Sequence, residues 1–227
     1  MRAKISDRQS VYNLPMTDGR RERGLATRER LLACARELFG ARGYEATSIE
    51  AVLASCGVAR GALYHHFAGK ADLFDAVARD VFAEIAQRTS AAAASEDDVL
   101  EGLRAGCHEW LRMALDPGVQ RIALLDPQAA LGWKRWRELD EQYSLGGLRA
   151  SLRGLARDGR LPADQVELLA WMLLGALNEA ALHIAYAADQ DAALRRGRAT
   201  VDTLLDRLAG AGAPSGRPRG RRAAAPA

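Results

Sequence analysis

Several kinds of chemistry are missing from this chain of 227 residues. It has only three cysteines, Cys34, Cys56 and Cys107, far apart and without a C-x-x-C pair, so unpaired thiols in a reducing compartment are expected rather than a disulfide framework. A redox-sensing thiol stays as a minor alternative. The four histidines, His65, His66, His108 and His183, form no H-E-x-x-H, and no Cys/His set has zinc spacing. His65 and His66 are adjacent, and neighbouring helical positions point about 100° apart, a poor geometry for one metal. There is no G-x-S-x-G elbow and no Walker loop. The expectation is therefore no enzyme, no cofactor and no metal. No run approaches the ~18 apolar residues of a membrane span, and residues 1–19 lack the apolar core of a signal peptide, so no membrane partner and a cytoplasmic location are expected. Strand-like alternation and repeats of fixed period are also missing. Charge is nearly balanced, 32 Lys and Arg against 29 Asp and Glu, and a net +3 does not by itself imply nucleic acid.

Helical periodicity fills most of what is left, and the fold class expected is all-α with about nine helices. The first helix is expected from Thr27, as cap, to Arg42, with Leu31, Leu32, Ala35, Leu38 and Phe39 inward and Gly43 as the stop. A helix from Lys70 to about Ala93 carries Leu73, Phe74, Val77, Val81, Phe82 and Ile85. The next opens on a capping-box variant, Ser95 to Asp98, and runs to about Leu115 with Cys107 and Trp110 on its apolar face. A short helix over 119–125 ends at Asp126-Pro127. Residues 128–158 read as largely helical, with Gly132, Gly146 and Gly147 as weak points. Long helices over 163–188 and 192–208 follow. Basic residues gather at the ends: Arg20, Arg21, Arg23, Arg28 and Arg30, then Arg217, Arg219, Arg221 and Arg222. The domain division expected is a flexible basic arm (1–24), a small helical domain (25–72), a larger one (73–209) and a disordered basic tail (210–227).

Function concentrates in Thr47 to Phe67, TSIEAVLASCGVARGALYHHF. It reads as two short helices and a tight turn. Thr47 is expected as N-cap, with Glu50 completing a capping box. Ile49, Val52 and Leu53 make an apolar face, and Gly57 supplies the left-handed turn. In the second helix Leu63 and Phe67 face inward, while Arg60 with Tyr64 and Gly61 with His65 face outward. A short helix with such an outer face fits the major groove, read from its N-terminal end. Arg60 is the candidate base reader, bidentate to guanine. Gly61 and Ala62 would lie close to bases. Thr47, Ser48, Tyr64, His65, His66 and Lys70 would position the phosphates. For His66, partial burial beneath the helix is an equal alternative.

On these residues the chain resembles the TetR family of bacterial repressors. GVARGALYHHFAGKADLF is similar to its signature, and the run from Thr27 to Phe74 agrees in helix order and spacing. One departure is Ala59, where the family often has a capping Ser or Thr; an Ala there loses roughly 1 kcal/mol of capping. The resemblance implies that Lys70 binds phosphate beside the N-terminus of its helix. It also implies a homodimer on palindromic double-stranded DNA, paired through the last two long helices, and a small-molecule effector in the larger domain that releases the repressor. Alternatives are control by a protein partner, or no effector at all. The N-terminal arm either touches the duplex or is a mere leader.

Two sets of candidates follow for the larger domain. Phe82, Cys107, Trp110, Trp133, Trp136, Tyr143 and Asn178 are candidates for the effector pocket, with ordinary core packing as the rival for each aromatic. Trp171, Leu174, Leu177, Ala181, His183, Leu204 and Leu205 are candidates for the dimer interface. The helix holding most of these is apolar over much of its circumference, as a helix buried on several sides would be.

Overall fold

The computed structural model of the chain describes residues 18–210, and among these every regular element is helical. The order is α1 (Asp18–Arg42), α2 (Ile49–Cys56), α3 (Arg60–His66), α4 (Lys70–Ala94), α5 (Val99–Met113), a three-residue turn α6 (Pro117–Val119), α7 (Pro127–Leu139), α8 (Gly146–Arg157), α9 (Val166–Ala185) and α10 (Gln190–Gly210). Two π-helical stretches, Gln120–Leu125 and Asp140–Leu145, join α6 to α7 and α7 to α8. Setting the short turn aside leaves nine helices, as the periodicity implies.

Helix α1 starts nine residues before the expected cap. Thr27 lies inside it and donates its hydroxyl to the Arg23 carbonyl at 2.8 Å, so it caps nothing. The Arg, Glu, Leu and Ala around it are good helix formers. No apolar stripe shows there because that part leaves the core: Leu25 is exposed, whereas Leu31, Leu32, Ala35 and Phe39 are buried. Residues 18–24 of the expected arm are thus helical, and Gly210 closes α10. The rest of the arm and of the basic tail lies outside the described residues.

Gly43, at φ 84°, ends α1, and Tyr44 packs its ring against Phe39 and Phe74. Helix α2 is capped by Ser48, whose Oγ accepts from the Ala51 N–H at 3.1 Å. Thr47, the expected cap, is buried and donates to the Gly43 carbonyl at 2.8 Å. The cap moved one residue because Thr47 ties the loop back onto α1. In the same way Asp98, not Ser95, caps α5, accepting from the Leu100 and Glu101 N–H groups.

Helix α4 packs both on α1 and on α5. Its first turns bury Leu73, Phe74 and Val77, and its later turns bury Val81, Phe82 and Ile85. Beyond it α5 packs very closely on α4. A Cβ at Gly102 would sit 2.7 Å from the Ala93 carbonyl oxygen, so only glycine permits this approach.

Against the expectation that no stretch approaches a membrane span, helix α9, with the 3₁₀ turn Ala163–Gln165 before it, is long and apolar enough by length and composition to cross one. Its burial is one-sided: Val166, Ala170, Leu173, Leu174, Leu177, Ala181 and Ile184 face the core. Leu168, Met172, Gly175, Ala176, Glu179, His183 and Tyr186 are exposed and form a stripe along the other side.

Candidate functional site

The α2–turn–α3 unit is built as its sequence implies. Gly57 adopts φ 62° and ψ 32°, and its N–H closes on the Leu53 carbonyl. Leu63 and Phe67 anchor the underside of α3 in the core. Ala59 enters α3 in extended backbone with no side-chain cap. Arg60, Gly61, Tyr64 and His65 are exposed, and Ala62 is half-buried. A Cβ at Gly61 would meet nothing within 4 Å.

Arg60 has a partner that sequence reasoning missed. Its Nη1 lies 3.2 Å from the Glu50 carboxylate, and its guanidinium sits 5.7 Å above the Tyr64 ring. Both members of the pair are more than 60% exposed, at 63% and 62% of their side-chain surface, so the ion pair is weak and readily exchanged for a base or phosphate. The signal lay in plain sight: a carboxylate in the first turn of α2, beside the turn that carries Arg60.

Other expected DNA contacts divide. Ser48 is exposed, with its oxygen accepting in the cap and its O–H free to donate elsewhere. Thr47 is withdrawn from the group, since its buried hydroxyl is committed to α1. Lys70 is half-buried at the start of α4, with Nζ 4.2 Å above the Tyr44 ring and 3.3 Å from the Glu45 carbonyl, which accepts from it. His66 is half-buried, its ring 5.1 Å from that of His65 and 6.4 Å from that of Phe67. Burial, then the neighbouring His65 and Arg28, push its imidazole pKa down, so it offers the duplex less positive charge than an open histidine.

The larger domain forms a cavity of about 430 Å³, open to the surface, between α4, α5, α8, α9 and the two π-helical stretches. Phe82, Cys107, Trp110 and Asn178 line it. Trp133, Trp136 and Tyr143 do not. Gly132, at φ 80° and ψ 159°, breaks α7 just before Trp133, which is left 61% exposed and edge-on to Trp136. Tyr143 stacks on Phe82 with ring centroids 6.4 Å apart, in a second layer. Burial pushes the Cys107 thiol up to about 12, so it is an inert wall group.

Asp140, which sequence reasoning did not single out, lies on the inner wall of the cavity and is only 3% exposed. Burial raises its carboxyl to about 6, against the opposing pull of Arg137 and of a hydrogen bond from Asn178. That bond, Asn178 Nδ2 to Asp140 Oδ2, is long at 3.5 Å.

Two connections run from the cavity to the DNA-binding unit. One is α4 itself. The other is the segment 117–126, which supplies Ala123 and Leu124 to the cavity and packs on the end of α1. There Asp126 Oδ2 accepts from the Tyr44 N–H at 2.7 Å.

The expected dimer contacts are also divided. Leu174, Leu177, Ala181 and Leu205 are buried in the chain's own core, two of them on the cavity wall, so they cannot face a partner. Trp171 is half-buried beneath the Arg137 guanidinium, 3.8 Å away. His183 and Leu204 are exposed.

Comparison with known proteins bears on both units. Residues 31–77 match the model of bacterial regulatory proteins of the tetR family, and residues 100–208 match that of the tetracyclin repressor-like C-terminal domain. The Transposon Tn10 TetC protein of Escherichia coli is 26% identical over 161 residues, 70% of this chain and 80% of that one. The HTH-type transcriptional repressor AcnR of Corynebacterium efficiens is 29% identical over 144 residues, 61% of this chain and 70% of that one. A solved TetR-family transcriptional regulator from Pectobacterium atrosepticum is 36% identical with a TM-score of 0.70, covering 83% of this chain and 96% of that one.

Proposed function

The chain belongs to the TetR family of DNA-binding transcriptional regulators, which are not enzymes, and on that footing we propose that it is a homodimeric repressor released from a palindromic operator by a small apolar ligand. The observation that carries this reading is the pairing of an exposed recognition face, Arg60 to His65, with a largely apolar cavity joined to it through α4 and through residues 117–126. A two-fold dimer would set two α3 helices against half-sites one helical turn apart, ~34 Å. The exposed stripe of α9 and the outer side of α10 would pair across that axis. Arg60 reads a base, while Ser48, Tyr64, His65 and Lys70 hold phosphates. The protein works in the cytoplasm, where the operator is.

Release requires the ligand to prefer the conformation that does not fit the duplex. A hundredfold preference is about 2.7 kcal/mol of coupling. A ligand that moves the wall formed by Phe82, Ala123 and Leu124 acts on α4 and on the Asp126–Tyr44 contact together. The Asp126 contact is a second lever beside α4.

Selection from random DNA tests the proposal. The purified full chain is expected to enrich a two-fold symmetric site with half-site centres about one turn apart. Ligands found by thermal shift should then lower affinity for that site in fluorescence anisotropy. Enrichment of an asymmetric site, or of none, overturns the dimeric operator-binding reading. Ligands that stabilise the protein yet leave DNA affinity unchanged overturn its control by the cavity.

A further inference from the structure

The cavity is chemically uneven. Most of its wall is apolar, with Phe82, Leu103, Trp110, Leu174 and Leu177 among its side chains. Among the described residues, Asp140 is the one ionisable Asp, Glu, Lys or Arg side chain that is buried, and it lies on this wall. Its hydrogen bond from Asn178, at 3.5 Å, is at the outer limit of such a bond. The nearest electrostatic help, Arg137, has its guanidinium stacked on Trp171 at 3.8 Å. A carboxylate so placed is an incompletely compensated buried charge, which is costly unless something supplies the opposite sign.

One further observation points to a ligand. Asp140 opens the π-helical stretch Asp140–Leu145, and the other such stretch also lines the cavity. Such turns are rare and concentrate at functional sites.

The sign of the site follows from its charges. At the mouth Glu96, Asp97 and Asp98 are exposed, opposed by Arg157. Asp98 is already engaged by the start of α5 and by Arg160 at 3.1 Å, which leaves Glu96 and Asp97 to set the local field. Acidic groups at the entrance attract cations and oppose anions. A volume of about 430 Å³ suits a small organic molecule.

We infer that the cavity takes a lipophilic amine, bound as its ammonium with Asp140 as counter-ion and Asn178 orienting the carboxylate, and that it rejects lipophilic carboxylic acids. The inference rests on the cavity being the effector site and names the class of effector. The ammonium replaces its water shell with the carboxylate and with the indole face of Trp110, a favourable partner for a cation. The apolar body fills the space between α5 and α9.

The test uses the full chain and three matched probes, 4-phenylbutylamine, 4-phenylbutan-1-ol and 4-phenylbutyrate, in isothermal titration calorimetry at pH 7.5. The amine is expected to bind at least tenfold more tightly than the alcohol, and the acid more weakly than either. Asp140→Asn should remove the preference of the amine over the alcohol. If the Asn variant does not fold, Asp140→Glu, which keeps the charge, must retain the preference for the amine. Equal or tighter binding of the acid overturns the inference, as does amine affinity untouched in Asp140→Asn, or no binding by any probe. The effector reading is separable from this. If the amine binds through Asp140 but does not loosen operator binding, that reading fails and the amine site stands. If another ligand class releases the operator and the amine does not bind, the amine site fails alone.

Discussion

Two side chains show how far single residues decide behaviour here. Arg60 rests on Glu50 and Tyr64 in the free protein, so it is pre-positioned but not consumed. Arg60→Ala should cost ~1–3 kcal/mol of operator affinity and relax preference at one base pair, measured by anisotropy on single-substitution operators. A loss that is uniform across sequences would move Arg60 to the phosphate class. Glu50→Gln removes the competing carboxylate and should tighten binding to all sequences by less than tenfold. Asp140 is the second case. Burial raises its carboxyl from the usual 3.8 to about 6, so the native state holds that proton more firmly than the unfolded chain. Its contribution favours the fold at low pH and is withdrawn as pH climbs from about 4 to about 6, by roughly 3 kcal/mol at most. Asp140→Asn abolishes that titration while Arg137 and Asn178 still face the position. The variant should therefore melt close to the parent at pH 4 and several degrees higher at pH 7. A melting difference that stays constant from pH 4 to 7 would show that Asp140 is not held in this state.

At the scale of elements, α3 is the least supported helix of the DNA-binding unit. It has seven residues, no side-chain cap at Ala59, and Gly61 in its first turn. Since a Cβ at Gly61 meets nothing, Gly61→Ala should stabilise α3 by about 1 kcal/mol. The same change should weaken operator binding if the helix needs close approach to the bases. Amide exchange offers a direct view: amides of α3 should exchange faster than those of α2 in the free protein, and both should slow on the operator. Slow exchange in free α3 would mean that it is fully formed before DNA arrives. Helix α5 shows the opposite regime. Gly102→Ala would drive a Cβ into the Ala93 carbonyl, which is backbone and cannot step aside, so a loss of ~1–3 kcal/mol is expected on chemical denaturation.

For the whole molecule, α9 separates assembly from folding. Met172 is 61% exposed on the outer stripe, whereas Leu174, two residues away, is 5% exposed in the core. Met172→Asp should leave the fold and its melting temperature nearly unchanged but shift sedimentation toward a monomer and abolish cooperative operator binding. Leu174→Asp should destabilise the chain itself, since it buries an unpaired charge. If Met172→Asp remains dimeric and binds the operator normally, the pairing surface lies elsewhere.

The sequence by itself determined the all-α class, the helix order and the recognition unit. Those rest on short-range physics: Gly57 must turn left-handed, and Leu63 and Phe67 fall one turn apart, so their neighbours Arg60 and Tyr64 point outward whatever else the chain does. Three things depended on tertiary structure because they depend on what lies opposite. Thr47 and Ser48 are both fit to cap α2, and the choice fell to Ser48 only because α1 takes the Thr47 hydroxyl. Helix α9 is apolar nearly all round, so composition could not tell the cavity side, Leu174 and Leu177, from the outer side, Leu168 and Met172. Asp140 reads as one more surface acid among the charges of α7. Only the break at Gly132 and the π-helical turn that follows α7 carry it inside, where desolvation gives one carboxylate control over what the cavity accepts.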